Sequence, residues 1–253
     1  MQCVALHSSQ SHGGQWRALS RQLPVGIKLQ APDLIGYGAA PSFSHLLKDP
    51  ADFSLMDELA QLEQIGLNPS AGPIVLVGHS YGGALALHWA RRFPNAIKAL
   101  LLYEPVAFHV LPKEHAARIE ITAVAAAMDS MPAEEACAHF VDYWNQPGYF
   151  KALPAAAQAL MMSQQEKVTA DFHALLDEPA TLADYSALTM PIHLFSGNQS
   201  PLSSQTVAQL LANSLPNVQH TVVNAGHMGP ITHSRLVTPL LLNALLGSEH
   251  SRK

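Results

Sequence analysis

The sequence predicts an α/β fold, a doubly wound and mostly parallel sheet of about six strands with a helical insertion. Three observations predict it. Short apolar runs alternate with helical patterns along most of the 253 residues, the pattern of parallel strands joined by right-handed crossovers. The alternation stops between Pro105 and Leu188, where only helical patterns are legible. In the middle of "IVLVGHSYGGALAL", Ile74 to Leu87, an apolar run turns sharply into an alanine- and leucine-rich helix through Gly78-His79-Ser80-Tyr81-Gly82.

Each element follows in order. "CVALH" (Cys3–His7) is the first strand, and "QWRALSRQL" behind it reads as helical. "IKLQAPD" (Ile27–Asp33) is the second strand. Phe53, Met56, Leu59 and Ile65 recur at helical spacing before the third strand, Ile74–Gly78, and the helix after Ser80 leads to a fourth, Ile97–Glu104. Prolines 112, 132, 147, 154 and 179 then punctuate helical segments such as "RIEITAVAAAMDS" and "EEACAHFVDYWNQ". So long a stretch without strands reads as an insertion packed over the sheet rather than a loop. "PIHLFSG" (Pro191–Gly197), "VQHTVV" (Val218–Val223) and an amphipathic segment, Ile231–Leu246, complete the alternation. The expected organisation is a core of residues 1–104 and 188–248, a helical cap at 105–187, and a tail at 249–253.

Composition narrows the function classes. The chain is 48% hydrophobic and only 13% charged, with a net charge of −5. No basic stripe offers itself to nucleic acid, and no polybasic segment to a membrane surface. No run approaches the length of a membrane span, and the N-terminus lacks a signal-peptide pattern. A cytoplasmic protein acting on a small molecule is expected, without nucleic-acid or membrane partners; a homodimer is left open. Cys3 and Cys137 are far apart and read as reduced, buried thiols. The fourteen histidines show no metal-ligand spacing, so no metal is expected.

Ser80 carries the chemistry. A serine hydroxyl is a poor nucleophile until a base removes its proton. Placed between a strand's carboxyl end and a helix N-terminus, its oxygen is exposed and the helix dipole faces developing negative charge. The turn is crowded, which explains the small Gly78 and Gly82 on either side. A bare Gly-x-Ser-x-Gly arises by chance in about one chain in ten of this length; between a buried strand and a helix it is far more specific.

With these residues in view the chain resembles the α/β-hydrolase superfamily, nearly end to end. "LHSSQSHGGQW" (Leu6–Trp16) resembles its oxyanion-hole segment, "APDLIGYGAAP" (Ala31–Pro41) its Asp-Leu-x-Gly-x-Gly loop, "GHSYGG" its nucleophile elbow, and "NAGHMGPITH" (Asn224–His233) its histidine loop. Two features depart from the pattern. The first apolar run corresponds to the family's third strand, so the usual first hairpin is not expected, and the usual His-Gly pair is His7-Ser8.

The resemblance implies His227 as the base, ahead of His233 and His79, because Ser…acid…His is this fold's chain order. The usual acid follows the penultimate strand as Gly-x-x-Asp, but here that stretch reads Gly197-Asn198-Gln199-Ser200. Glu104, at the carboxyl end of the strand beside the nucleophile strand, is the expected replacement. Its structural alternative is an ion pair or a cap on the insertion. Tyr81 and Ser9 are expected to supply the two backbone N–H groups of an oxyanion hole, with Ser8 next in line. Ser8, Phe108, His109, Trp144, Met161 and Met228 are expected to line the substrate pocket, beside Tyr149 and Met162. No cofactor is needed. The reading is a serine hydrolase of a small, fairly apolar ester, or of a related acyl or carbon–carbon bond. Haloperoxidase-type or acyltransferase chemistry on the same triad, and a non-catalytic ligand-binding protein, are the alternatives.

Overall fold

A computed structural model describes residues 1–68 and 70–250, apart from the side chains of residues 249 and 250. Six strands form one sheet: β1 (Gln2–Leu6), β2 (Lys28–Gln30), β3 (Ile74–His79), β4 (Ile97–Tyr103), β5 (Ile192–Gly197) and β6 (Val218–Val223). Their order is β2-β1-β3-β4-β5-β6 and every pairing is parallel. The expected second strand shrinks from seven residues to three. It lies at the sheet edge, and beyond Gln30 Pro32 has no N–H to offer a ladder.

The side-chain alternation of the strands builds two cores. Val4, Leu6, Leu76, Leu100 and Leu102 face one way; Cys3, Ala5, Val75, Val77, Ala99 and Leu101 face the other. All six residues of β3 are buried, as a strand covered on both faces requires. Each fully buried Val, Leu or Ile stabilises by about 1.5–3 kcal/mol relative to exposure.

Helices α1 (Leu55–Gln64) and α2 (Tyr81–Arg92) cover the first face. Every residue of α2 from Tyr81 to Ala90 is buried, so this helix is wrapped all round, by the sheet beneath and the insertion above. Between β4 and β5 the longer elements are α3 (Ala116–Ser130), α4 (Ala133–Trp144), α5 (Ala155–Ser163) and α6 (Gln165–Leu176), and no strand occurs there among the described residues. Pro132 and Pro154 stand immediately before α4 and α5, where their missing N–H costs nothing. Helix α7 (Leu202–Ser214) follows β5. Helix α8 (Ser234–His250) closes the opposite face through Val237, Leu241 and Leu245. It runs two residues into the expected tail; residues 251–253 lie outside those described.

The chain leaves β1 toward β2, then returns past β1 to β3 and continues in the other direction. The strand order therefore reverses at β1/β3, and ligands in open α/β sheets bind beyond the carboxyl ends at such a switch. Ser8 and Ser9, Ser80, and Glu104 follow β1, β3 and β4 at that end.

Candidate active site

Ser80 sits at φ 56°, ψ −123°, a backbone conformation costly for any non-glycine residue. The neighbouring glycines make the turn feasible. A Cβ on Gly78 would lie 2.6 Å from the Gly82 carbonyl oxygen, and one on Gly82 would lie 2.4 Å from that of Leu6. The elbow is thus pressed against itself and against the end of β1. The Ser80 N–H donates to the Tyr103 carbonyl at 3.1 Å, and its own carbonyl accepts from Gly83 and Ala84, which holds the strained residue in place.

The three residues expected to act together are brought together. Ser80 Oγ is 2.8 Å from His227 Nε2, and His227 Nδ1 is 2.7 Å from Glu104 Oε2. Glu104 is fully buried, and its second oxygen accepts the Gly197 N–H at 2.7 Å. It leaves β4 at φ 42°, a second strained residue at the sheet's carboxyl edge. Ser200, where the resemblance places the usual acid, is buried, and its hydroxyl has no hydrogen-bond partner among the described residues. His233 lies outside this chain of contacts, its Nδ1 against the Thr232 hydroxyl.

The Tyr81 N–H and Ser9 N–H have no protein acceptor among the described residues, as donors kept for a ligand oxygen must. The loop that carries Ser9 is braced on several sides. His7 is buried and neutral: Nδ1–H donates to the Ser8 carbonyl at 2.7 Å, Nε2 accepts the Leu34 N–H at 2.9 Å, and burial lowers its pKa to about 4. Asp33 accepts N–H groups from Gly13 and Ala39 at 2.6 and 2.7 Å. Burial pushes its carboxyl pKa up, but these bonds outweigh it and the net direction is down.

His79 has a role that its position beside Ser80 did not suggest. Its Nε2–H donates to the His227 carbonyl at 2.8 Å and its Nδ1 accepts from Gln15 Nε2 at 3.0 Å. Gln15 Oε1 in turn accepts from the Ser8 N–H and hydroxyl. The oxyanion segment, the elbow and the histidine loop are therefore joined by one chain of hydrogen bonds, buried between His79 and His227 and half-buried at Gln15. Burial, then the nearby His227, hold the His79 pKa well below the ordinary histidine value, so it remains a neutral strut.

A pocket of about 140 Å³ opens on Ser80 and His227. Ser8, Trp144, Met161 and Met228 line it as expected, with Tyr149, while Phe140, Leu153 and Ile231 add to its apolar wall. Among the described residues no lysine, arginine, aspartate or glutamate borders it. Phe108 and His109 are corrections. Phe108 stacks between Trp144 and Phe172, with ring centroids 6.3 and 6.2 Å away, and supports the pocket wall from behind. His109 is turned into the cap's base, donating to the Leu175 carbonyl and accepting from Tyr185 Oη; burial lowers its pKa to about 4. Met162 packs against the core and is not among the lining residues. Trp144 does more than line: its ring lies 4.1 Å from that of His227. Outside Trp144 the pocket adjoins a wider polar hollow of about 260 Å³, bounded by Asn145, Gln146, Gln199 and His233.

A buried ionic cluster lies under the cap. Lys167 of α6 contacts Asp171 one turn along and Glu58 of α1 at 3.0 Å. Burial disfavours its charge, but the two carboxylates outweigh burial and raise its pKa. Nothing in the sequence pattern exposed this cluster: Lys167 and Asp171 are one helical turn apart, but Glu58 lies more than a hundred residues before them. Among the described residues no group of three or more His, Cys, Asp or Glu is arranged to hold a metal ion.

Comparison with known proteins agrees with this geometry. Residues 3–238 match the Alpha/beta hydrolase family. The chain is 28% identical to a pimeloyl-[acyl-carrier protein] methyl ester esterase of Chromobacterium violaceum over 238 residues, covering 92% of this chain and 89% of that protein. It is 35% identical to lipase LipV of Mycobacterium tuberculosis over 102 residues, 40% of this chain and only 36% of the lipase. Among solved structures, a hydrolase of Oleispira antarctica superposes with a TM-score of 0.75 at 18% identity, over 97% of this chain and 90% of that one. An elbow serine in reach of a loop histidine, on a parallel sheet roofed by helices, and a family match across nearly the whole length lead to one conclusion: the chain belongs to the alpha/beta hydrolase family.

Proposed function

We propose that the protein is a serine hydrolase of small, fairly apolar carboxylic esters, working through an acyl-enzyme on Ser80. The observation that carries this reading is the continuous contact Ser80–His227–Glu104, at 2.8 and 2.7 Å, at the floor of an uncharged pocket. His227 Nε2 takes the proton as Ser80 Oγ attacks the ester carbonyl carbon. The oxygen then gains negative charge, and the Tyr81 and Ser9 N–H groups receive it. The intermediate collapses as the C–O bond breaks and His227 returns the proton to the leaving alkoxide. Water enters by the same route in reverse, with His227 as base, and releases the acid. Glu104 fixes the ring orientation and tautomer of His227 and offsets the imidazolium charge.

Pocket size supports the small acyl group: about 140 Å³ is close to the roughly 150 Å³ cavity that accommodates benzene. The apolar wall and the absence of charged side chains support an uncharged acyl chain. The test is labelling with a fluorophosphonate, followed by hydrolysis of p-nitrophenyl acetate, butanoate and dodecanoate. Wild type is expected to take one label, on Ser80, with acetate and butanoate hydrolysed far faster than dodecanoate, and Ser80→Ala to take none. A folded wild type that takes no label overturns the reading.

A further inference from the structure

The oxyanion loop is held from the cap rather than from the sheet alone. Ser9 Oγ donates to Asp171 Oδ2 at 2.6 Å. The next residue, Gln10, has φ 52°, a conformation that does not persist without restraint, and its Nε2 donates to the Met161 carbonyl at 3.0 Å. Both anchors belong to the cap, Met161 to α5 and Asp171 to α6. The elbow's own donor, Tyr81, reaches the same place. Its hydroxyl donates to Glu58 Oε1 at 3.1 Å, and Lys167 Nζ lies 4.5 Å from its ring centroid. Tyr37 completes the cluster, donating to Asp171 at 2.6 Å with Lys167 5.0 Å from its ring.

The two residues read as oxyanion donors, Ser9 at the pocket and Tyr81 beside Ser80, thus have their side chains on one buried ionic cluster. Neither side chain is required by the backbone role, since any residue except proline supplies an N–H. Both are used to tie the backbone to Lys167, through Asp171 on one side and Glu58 on the other. We infer that Lys167 and Asp171 are positioning residues for the oxyanion hole, so that the hole is complete only with the cap seated on the core. This rests on the serine-hydrolase reading above. Donors matter only where they meet the transition-state oxygen, so a small displacement of Ser9 lowers turnover while leaving substrate binding nearly intact.

The test is a double-mutant cycle on Ser9→Ala and Asp171→Asn, with p-nitrophenyl acetate as probe. Ser9→Ala removes only the hydroxyl and leaves the N–H. Its kcat is expected to fall about tenfold, well short of the loss for deleting a donor outright. KM should stay within about twofold and the melting temperature nearly unchanged, with Ser9→Thr, which restores the oxygen, close to wild type. Asp171→Asn is expected to lower kcat comparably, and the pair together to lose no more than the worse single variant, because both act through one contact. A Ser9→Ala kcat within twofold of wild type, or losses that multiply in the pair, overturns the inference. Should Asp171→Asn not fold, the Ser9→Ala and Ser9→Thr pair decides alone. Fluorophosphonate labelling separates the two levels. Wild type unlabelled at Ser80 removes the hydrolase reading, whereas labelled wild type with Ser9→Ala turning over at the wild-type rate removes only the role of the cluster.

Discussion

Glu104 is buried with no lysine or arginine partner among the described residues, and its two oxygens are used by His227 Nδ1 and the Gly197 N–H. This geometry places Glu104 against His227 rather than against a lysine or arginine. The Gly197 N–H also explains how an acid on β4 can serve a loop that ordinarily brings its own. Glu104 reaches across to the end of β5, a few residues before the serine that stands at the usual position. Glu104→Gln keeps shape and burial but removes the charge, and its amide can present a donor to Nδ1 and select the wrong tautomer. We expect kcat/KM to fall by about three orders of magnitude, toward the roughly 10⁴-fold known for such a change, with an unchanged far-UV spectrum. Activity within tenfold of wild type would take Glu104 out of the mechanism.

The cap helix α4 brings Trp144 onto the His227 ring, backed by Phe108 and Phe172 in a stack of nearly parallel rings. The helix reads from the sequence as a plain amphipathic segment; only its packing angle decides that its final aromatic residue meets the histidine loop. That is why Trp144 was legible as a lining residue but not as the partner of His227. Phe108, expected at the pocket as part of the roofing insertion, instead backs Trp144. An aromatic face beside an imidazole that becomes positive in the transition state is worth about 0.5–1 kcal/mol, which is about two- to fivefold in rate. Trp144→Leu keeps an apolar cover without the π face. Its single-turnover acylation constant with p-nitrophenyl acetate should fall by that factor, with Trp144→Phe in between. A Trp144→Leu constant equal to wild type would show that Trp144 only fills space.

Taken whole, the fold was readable because the alternating runs, the elbow glycines and the loop histidine are local patterns, and the sheet order merely assembles them. What stayed hidden was contact between distant segments: His79 under the His227 carbonyl, Asp171 on Ser9, and Lys167 between Glu58 and Tyr81. These contacts cross between parts of the molecule, while its response to acid is set chiefly by which histidines are buried. His7 in the oxyanion segment, His79 at the elbow and His109 in the cap's base are all held neutral, chiefly by burial, with pKa values near 4 for His7 and His109 and well below the ordinary value for His79. In the unfolded chain each takes up its proton near pH 6.5. Between pH 6.5 and 4 the unfolded state therefore binds protons that the native state refuses. The stability these histidines contribute is complete above pH 6.5 and lost as pH falls, by about 1.4 kcal/mol per unit per histidine and about 3 kcal/mol for each of His7 and His109. Glu58 acts in the opposite sense. Burial raises its pKa, so its contribution grows as pH falls, but it is one group against five histidines, His193 and His220 being lowered by burial as well. Asp33 and Asp57, whose pKa values are lowered, withdraw their support only below about pH 4. Urea unfolding at pH 7, 6 and 5 should therefore show ΔG falling steadily below pH 6.5. His109→Gln, which keeps a donor and an acceptor for Leu175 and Tyr185, should shallow that slope by about one proton. A ΔG that stays level from pH 7 to 5 would mean that these histidines are not held neutral in the folded protein.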